Sequence, residues 1–78
     1  MKEKIIEIIV KLTGVEEVKV NPTIDLLEND ILDSLSFIEL IEFLEEEFAV
    51  EIQPTLVSPD TWRSVEKIEA LINSLQEE

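Results

Sequence analysis

One hydroxyl in this chain has a setting that could do chemistry. Ser34 follows Asp33 and opens the run Leu-Ser-Phe-Ile-Glu-Leu-Ile-Glu-Phe-Leu-Glu-Glu-Glu-Phe that ends at Phe48. Aspartate is a good N-cap, which puts Ser34 in the first turn of a helix. Backbone N–H groups there lack intrahelical acceptors, and an anion such as a phosphodiester is stabilised. A nucleophilic serine needs an adjacent base, yet the chain has no histidine and only six Lys and Arg, none of them from Val20 through Trp62. No enzyme activity is therefore expected and no catalytic residue is assigned; the setting suits attachment of a charged prosthetic group. Read as structure alone, Asp33-Ser34 is simply a helix start. Asp25, Glu28, Asp30 and Asp33 form a second cluster of hard oxygen donors, without the EF-hand's spacing or its glycine. Weak divalent binding that relieves repulsion is expected, and no dedicated metal site.

The elements that must position Ser34 follow from apolar periodicity. Ile5, Ile6, Ile9, Val10 and Leu12 recur at helical spacing and Gly14 is a natural terminator, giving a first helix over about residues 2–13. From Val15 to Asp33 the period is lost and Asn21-Pro22 breaks any helix. Val18, Val20, Ile24, Leu26, Leu27, Ile31 and Leu32 nonetheless make this a long loop pinned onto the core, with a strand over Val15–Val20 as the lesser reading. On a wheel of about 100° per residue, Phe37, Leu40, Ile41, Leu44 and Phe48 form one core stripe of the second helix. Glu39, Glu42 and Glu46 share the opposite face with Leu35 among them, and Phe43, off the stripe, is expected to pack against the loop after the helix. Glu45 and Glu47 read as a solvated helix end. Pro54 and Pro59 punctuate a short third helix. Ser64 caps a last helix whose stripe is Val65, Ile68, Leu71, Ile72 and Leu75. The expected fold is all-α: a small four-helix bundle of three longer helices and one short third helix, with a long loop between helices 1 and 2.

Charge separates the middle of the chain from its ends. The net charge is −13, from 19 acids against six bases, and eleven of the acids lie in the base-free stretch from Val20 through Trp62. Such a field repels nucleic acid and anionic membranes and steers basic protein surfaces toward the region around Ser34. Leu35 ringed by Glu39, Glu42 and Glu46 reads as an apolar anchor inside an acidic docking face. Seventy-eight residues make one domain, 1–78, with no internal repeat. The chain has no cysteine, and its N-terminal residues interleave Lys2, Glu3, Lys4 and Glu7 with isoleucines, so neither a disulfide framework nor a signal peptide is expected. A soluble, cytoplasmic monomer without membrane insertion follows as the expectation.

The run from Asp33 to Phe48 resembles the acyl carrier protein family, through Asp33-Ser34-Leu35, Ile38-Glu39-Leu40-Ile41 and Leu44-Glu45-Glu46-Glu47-Phe48. Ser36 departs from it, where many members carry an acid. The resemblance implies that Ser34 carries covalent 4′-phosphopantetheine derived from coenzyme A. It further implies that the helix after it is the recognition helix, and that the arm's thiol holds an acyl or aminoacyl group as a thioester. The implied partners are a phosphopantetheinyl transferase, an acyl- or aminoacyl-loading ligase and downstream acyl-transfer enzymes with basic docking patches. Trp62, followed by Arg63-Ser64-Val65-Glu66-Lys67-Ile68, is similar to the D-alanyl carrier branch. That tryptophan is expected to plug the core between helices three and four. The competing reading is a non-modified acidic helical interaction module.

Overall fold

The computed structural model describes residues 1–77, and among them every regular element is helical. Four α-helices run in chain order: α1 (Lys2–Thr13), α2 (Glu17–Val20), α3 (Ser34–Phe48) and α4 (Val65–Gln76). Their ends follow from local chemistry. Gly14 closes α1 in the left-handed conformation at φ 73°, donating its N–H to the Val10 carbonyl. The Asp33 carboxylate caps α3 through the Ser36 N–H, and the Ser64 hydroxyl caps α4 through the Lys67 N–H at 3.2 Å. α1 packs against both α3 and α4. Ile5 and Ile9 of α1, Leu40 and Leu44 of α3, and Ile68 and Ile72 of α4 are fully buried, and this shared apolar stripe is what holds the helices together.

Three features differ from the sequence expectations. Val15–Val20 is no strand; it contains the single turn α2, whose Val18 is fully buried whereas Val20 is 86% exposed and pins nothing. A four-residue helical turn can bury one side chain against α1, and the next valine, two positions on, lands on the opposite side. The short third helix is two 310 segments, Pro54–Leu56 and Pro59–Arg63, each begun by its proline at the first position. The second packs on α4 and carries Trp62, 3% exposed, into the core. The tryptophan thus plugs the interior as expected. Phe43 lines a groove of about 290 Å³ with Ile8 and Leu12 of α1, and no residue of the loop after α3 shares that lining. The flank of α1 offers that ring apolar side chains; the loop reaches the helix end instead through the Glu45 carboxylate, which accepts the Ile52 N–H at 2.8 Å.

Candidate functional site

Ser34 is the first residue of α3, and its side chain is exposed. Asp33 adopts extended backbone at φ −101° and ψ −176°, the N-cap conformation, and its Oδ1 accepts the Ser36 N–H at 2.8 Å. That bond, followed by the Ser36 hydroxyl, holds the Asp33 carboxyl below its usual pKa, so the cap is charged at neutral pH. The tip of this 15-residue helix keeps further first-turn N–H groups and the positive end of the dipole, which suits a phosphodiester on the Ser34 oxygen. The residues present therefore fit a phosphate-linked prosthetic group.

Beside the hydroxyl runs an open groove of about 590 Å³, predominantly apolar, whose walls come from two segments far apart in sequence. Leu27 and Leu32 of the long loop line it, together with Pro54, Val57, Pro59 and Trp62 from the segment after α3 and Phe37 of α3 itself. Phe37 and Trp62 meet edge to face, centroids 5.2 Å apart at 80°. Sequence reasoning assigned Trp62 to the core and did not place it on this wall. Its neighbourhood to Ser34 depends on the turn between Pro59 and Arg63, which no periodicity encodes.

The structure places Leu35, 67% exposed, next to the hydroxyl, with Glu42 and Glu46 exposed and Glu39 half-buried. Among the described residues none of these three glutamates has an ion-pair or hydrogen-bond partner. Ile38, 55% exposed, extends the apolar patch of Leu35 and was missed. Its signal lay in the wheel, where it falls about 60° from Leu35, outside the core stripe. Glu45 and Glu47 are not simply a solvated helix end: besides the Glu45 bond to Ile52, Glu47 pairs with Lys4 of α1 at 3.0 Å.

The Asp25 cluster is a loop organiser. One oxygen of Asp25 accepts the Leu27 and Glu28 N–H groups at 3.0 and 2.8 Å, and the other accepts from Arg63 at 3.0 Å. The Glu28 N–H first, then the Arg63 guanidinium, lower the Asp25 pKa. Among the described residues no group of three or more carboxylates is disposed to hold a metal ion.

Comparison with known proteins bears on this arrangement. Residues 3–72 match the family described as "Phosphopantetheine attachment site". The D-alanyl carrier protein of Lactococcus lactis subsp. lactis is 35% identical over 78 residues, covering 100% of this chain and 99% of that protein. The D-alanyl carrier protein of Lacticaseibacillus casei is 30% identical over 97% of this chain and 94% of its own. The acyl carrier protein of Solidesulfovibrio magneticus is 36% identical over 95% of this chain and 88% of its own.

Proposed function

The chain belongs to the family of phosphopantetheine-bearing acyl carrier proteins, and on that premise we propose that Ser34 is its attachment residue, with Asp33 as the cap that presents it. As a carrier it holds acyl or aminoacyl groups through covalent 4′-phosphopantetheine, whose thiol supplies the thioester linkage. The observation that carries the assignment to Ser34 is an exposed hydroxyl on the first residue of a long helix, beside a charged N-cap. In the loading step the Ser34 oxygen forms a bond to the β-phosphorus of coenzyme A, the pyrophosphate P–O bond breaks, adenosine 3′,5′-bisphosphate leaves and the hydroxyl proton is released. A phosphopantetheinyl transferase supplies the base for that proton, since this chain has no histidine. The chain performs no bond chemistry of its own.

Leu35, Glu39, Glu42 and Glu46 form the docking face in this reading. Unpaired acids attract a basic patch from a distance, Leu35 is desolvated on contact, and a small anchor lets each enzyme leave again. The cargo is a D-alanyl group delivered by a ligase and passed on to an acyl-transfer enzyme, a reading supported by relatives named D-alanyl carrier proteins that align with 97–100% of the chain. Residues 1–78 act as one carrier domain, monomeric and in the cytoplasm, where coenzyme A is available.

Intact-mass measurement after incubation with coenzyme A and a promiscuous phosphopantetheinyl transferase tests the assignment. The wild-type chain gains one phosphopantetheine, and Ser34→Ala gains none while keeping its helical circular dichroism. A Ser34→Ala protein that still gains the group overturns the site. A wild-type chain that gains nothing returns the unmodified acidic interaction module.

A further inference from the structure

Arg63 is separated from Asp25 by 38 positions, yet it binds the long loop twice. Its carbonyl accepts the Leu26 N–H at 2.7 Å, and its guanidinium donates to Asp25 at 3.0 Å. The same guanidinium pairs through Nε with Asp60 at 3.1 Å, and Asp60 in turn pairs with Lys67 of α4. On the loop side the tie is passed toward Ser34. The Leu26 carbonyl accepts the Ile31 and Leu32 N–H groups at 3.0 and 3.1 Å, and Leu32 is the residue before Asp33. The loop wall of the groove and the Trp62 wall are thus joined at one side chain.

We infer that Arg63 is a positioning residue for the attachment site: by clasping Asp25 to Asp60 it fixes the loop that ends in Asp33 against the 310 segment that carries Trp62. This rests on Ser34 being the modified residue, whereas the clasp itself can be measured without any modification. Arg63 does not touch the Ser34 hydroxyl and lies outside the acidic face of α3. Its loss therefore changes how the serine is held, and leaves partner capture alone. A guanidinium suits the role because its planar fork serves two carboxylates at once, which a lysine ammonium does less well.

The test uses the full apo chain with Arg63→Gln, Arg63→Lys and Asp25→Asn. The asparagine keeps an oxygen acceptor for the Leu27 and Glu28 N–H groups and presents an amide N–H to Arg63, so it breaks only the clasp. Hydrogen exchange of the Leu26–Leu32 amides is expected to speed up about two- to five-fold in Arg63→Gln and Asp25→Asn, the scale of an exposed ion pair, with α1 and α4 amides unchanged. Arg63→Lys falls between these variants and wild type. In phosphopantetheine transfer, kcat falls by a similar factor while KM for the carrier stays the same. Unchanged loop exchange, or exchange accelerated equally throughout the chain, overturns the clasp. A raised KM at unchanged kcat makes Arg63 a partner contact and overturns the positioning role. Should Arg63→Gln fail to fold, Asp25→Asn decides alone. If wild type accepts no phosphopantetheine, the attachment reading fails and the exchange data still decide the clasp.

Discussion

Two groups of carboxylates in this molecule face opposite circumstances. Asp25 and Asp60 are tied to Arg63 and Lys67, and Asp33 is tied to its own helix start. Glu39, Glu42 and Glu46, one helix face away, have no partner among the described residues although the fold spends cations elsewhere: Lys2 on Glu66 and Lys4 on Glu47. The first group stitches chain segments together. The second group contributes repulsion to the folded state, and acids near the C-terminal end of α3 also oppose its dipole. The paired carboxylates tie segments of the fold together; the unpaired ones do not, and in the proposed function they are the acids that meet a basic partner surface.

Charge reversal on the unpaired side should break the comparison most visibly. Glu39→Lys or Glu42→Lys is expected to slow phosphopantetheine loading about ten-fold at low salt, through a slower encounter and weaker docking, without loss of helix. The penalty should shrink as the Debye length falls to about 8 Å near 0.15 M salt. Steady-state loading rates across a salt series check this. Unchanged rates at low salt would assign the acidic face to solubility alone.

The contrast also explains what could be read before any coordinates. Asp33, Ser64 and Gly14 were legible because a cap is decided by neighbours within a few residues, and the stripe of α3 was legible because 3.6-residue spacing is local. Ser34's place at a helix start belongs with these. Glu45, Glu47 and Phe43 were misjudged because their surroundings come from Ile52, Lys4 and the flank of α1, residues that the wheel of one helix does not contain. Val20 shows the same limit in reverse: an apolar residue in an apolar loop ended exposed because α2 turned its neighbour Val18 inward. The groove beside the serine brings together residues 27 and 62, and the Arg63 bond to Asp25 joins positions 38 apart, meetings that no spacing rule announces.

Acid should undo the paired group in a defined window. The folded pKa values of Asp25 and Asp60 lie below the usual 3.8, set first by the Glu28 N–H and by Lys67 respectively. A carboxylate whose folded pKa is lowered contributes stability that is fully present above its unfolded value and is lost as pH falls through the folded one. Trp62 is the only tryptophan and sits on the clasped wall, so its fluorescence reports the event. Acrylamide quenching is expected to stay flat from neutral pH down to the ordinary aspartate range and to rise only below 3.8. A rise that begins well above that value would detach the wall from these two carboxylates.

The smallest expected effect separates stability from docking at the far end of α3. Ala49 closes this helix at φ 53° and ψ 46°, the left-handed region where a Cβ is strained, and its N–H bonds the Glu45 carbonyl. Glycine removes that strain but loses more chain entropy on folding, so Ala49→Gly should stabilise by a net of about 0.5–1 kcal/mol. For a domain of this size that is a rise in melting temperature of about 2–8 °C, measurable by circular dichroism. Ala49 carries no charge and belongs to neither group of carboxylates, so the loading rate should stay at the wild-type value. If the more stable variant also loaded faster or slower, rigidity of the helix end would be setting partner capture. The division between acids that hold the chain and acids that wait for a partner would then be too simple.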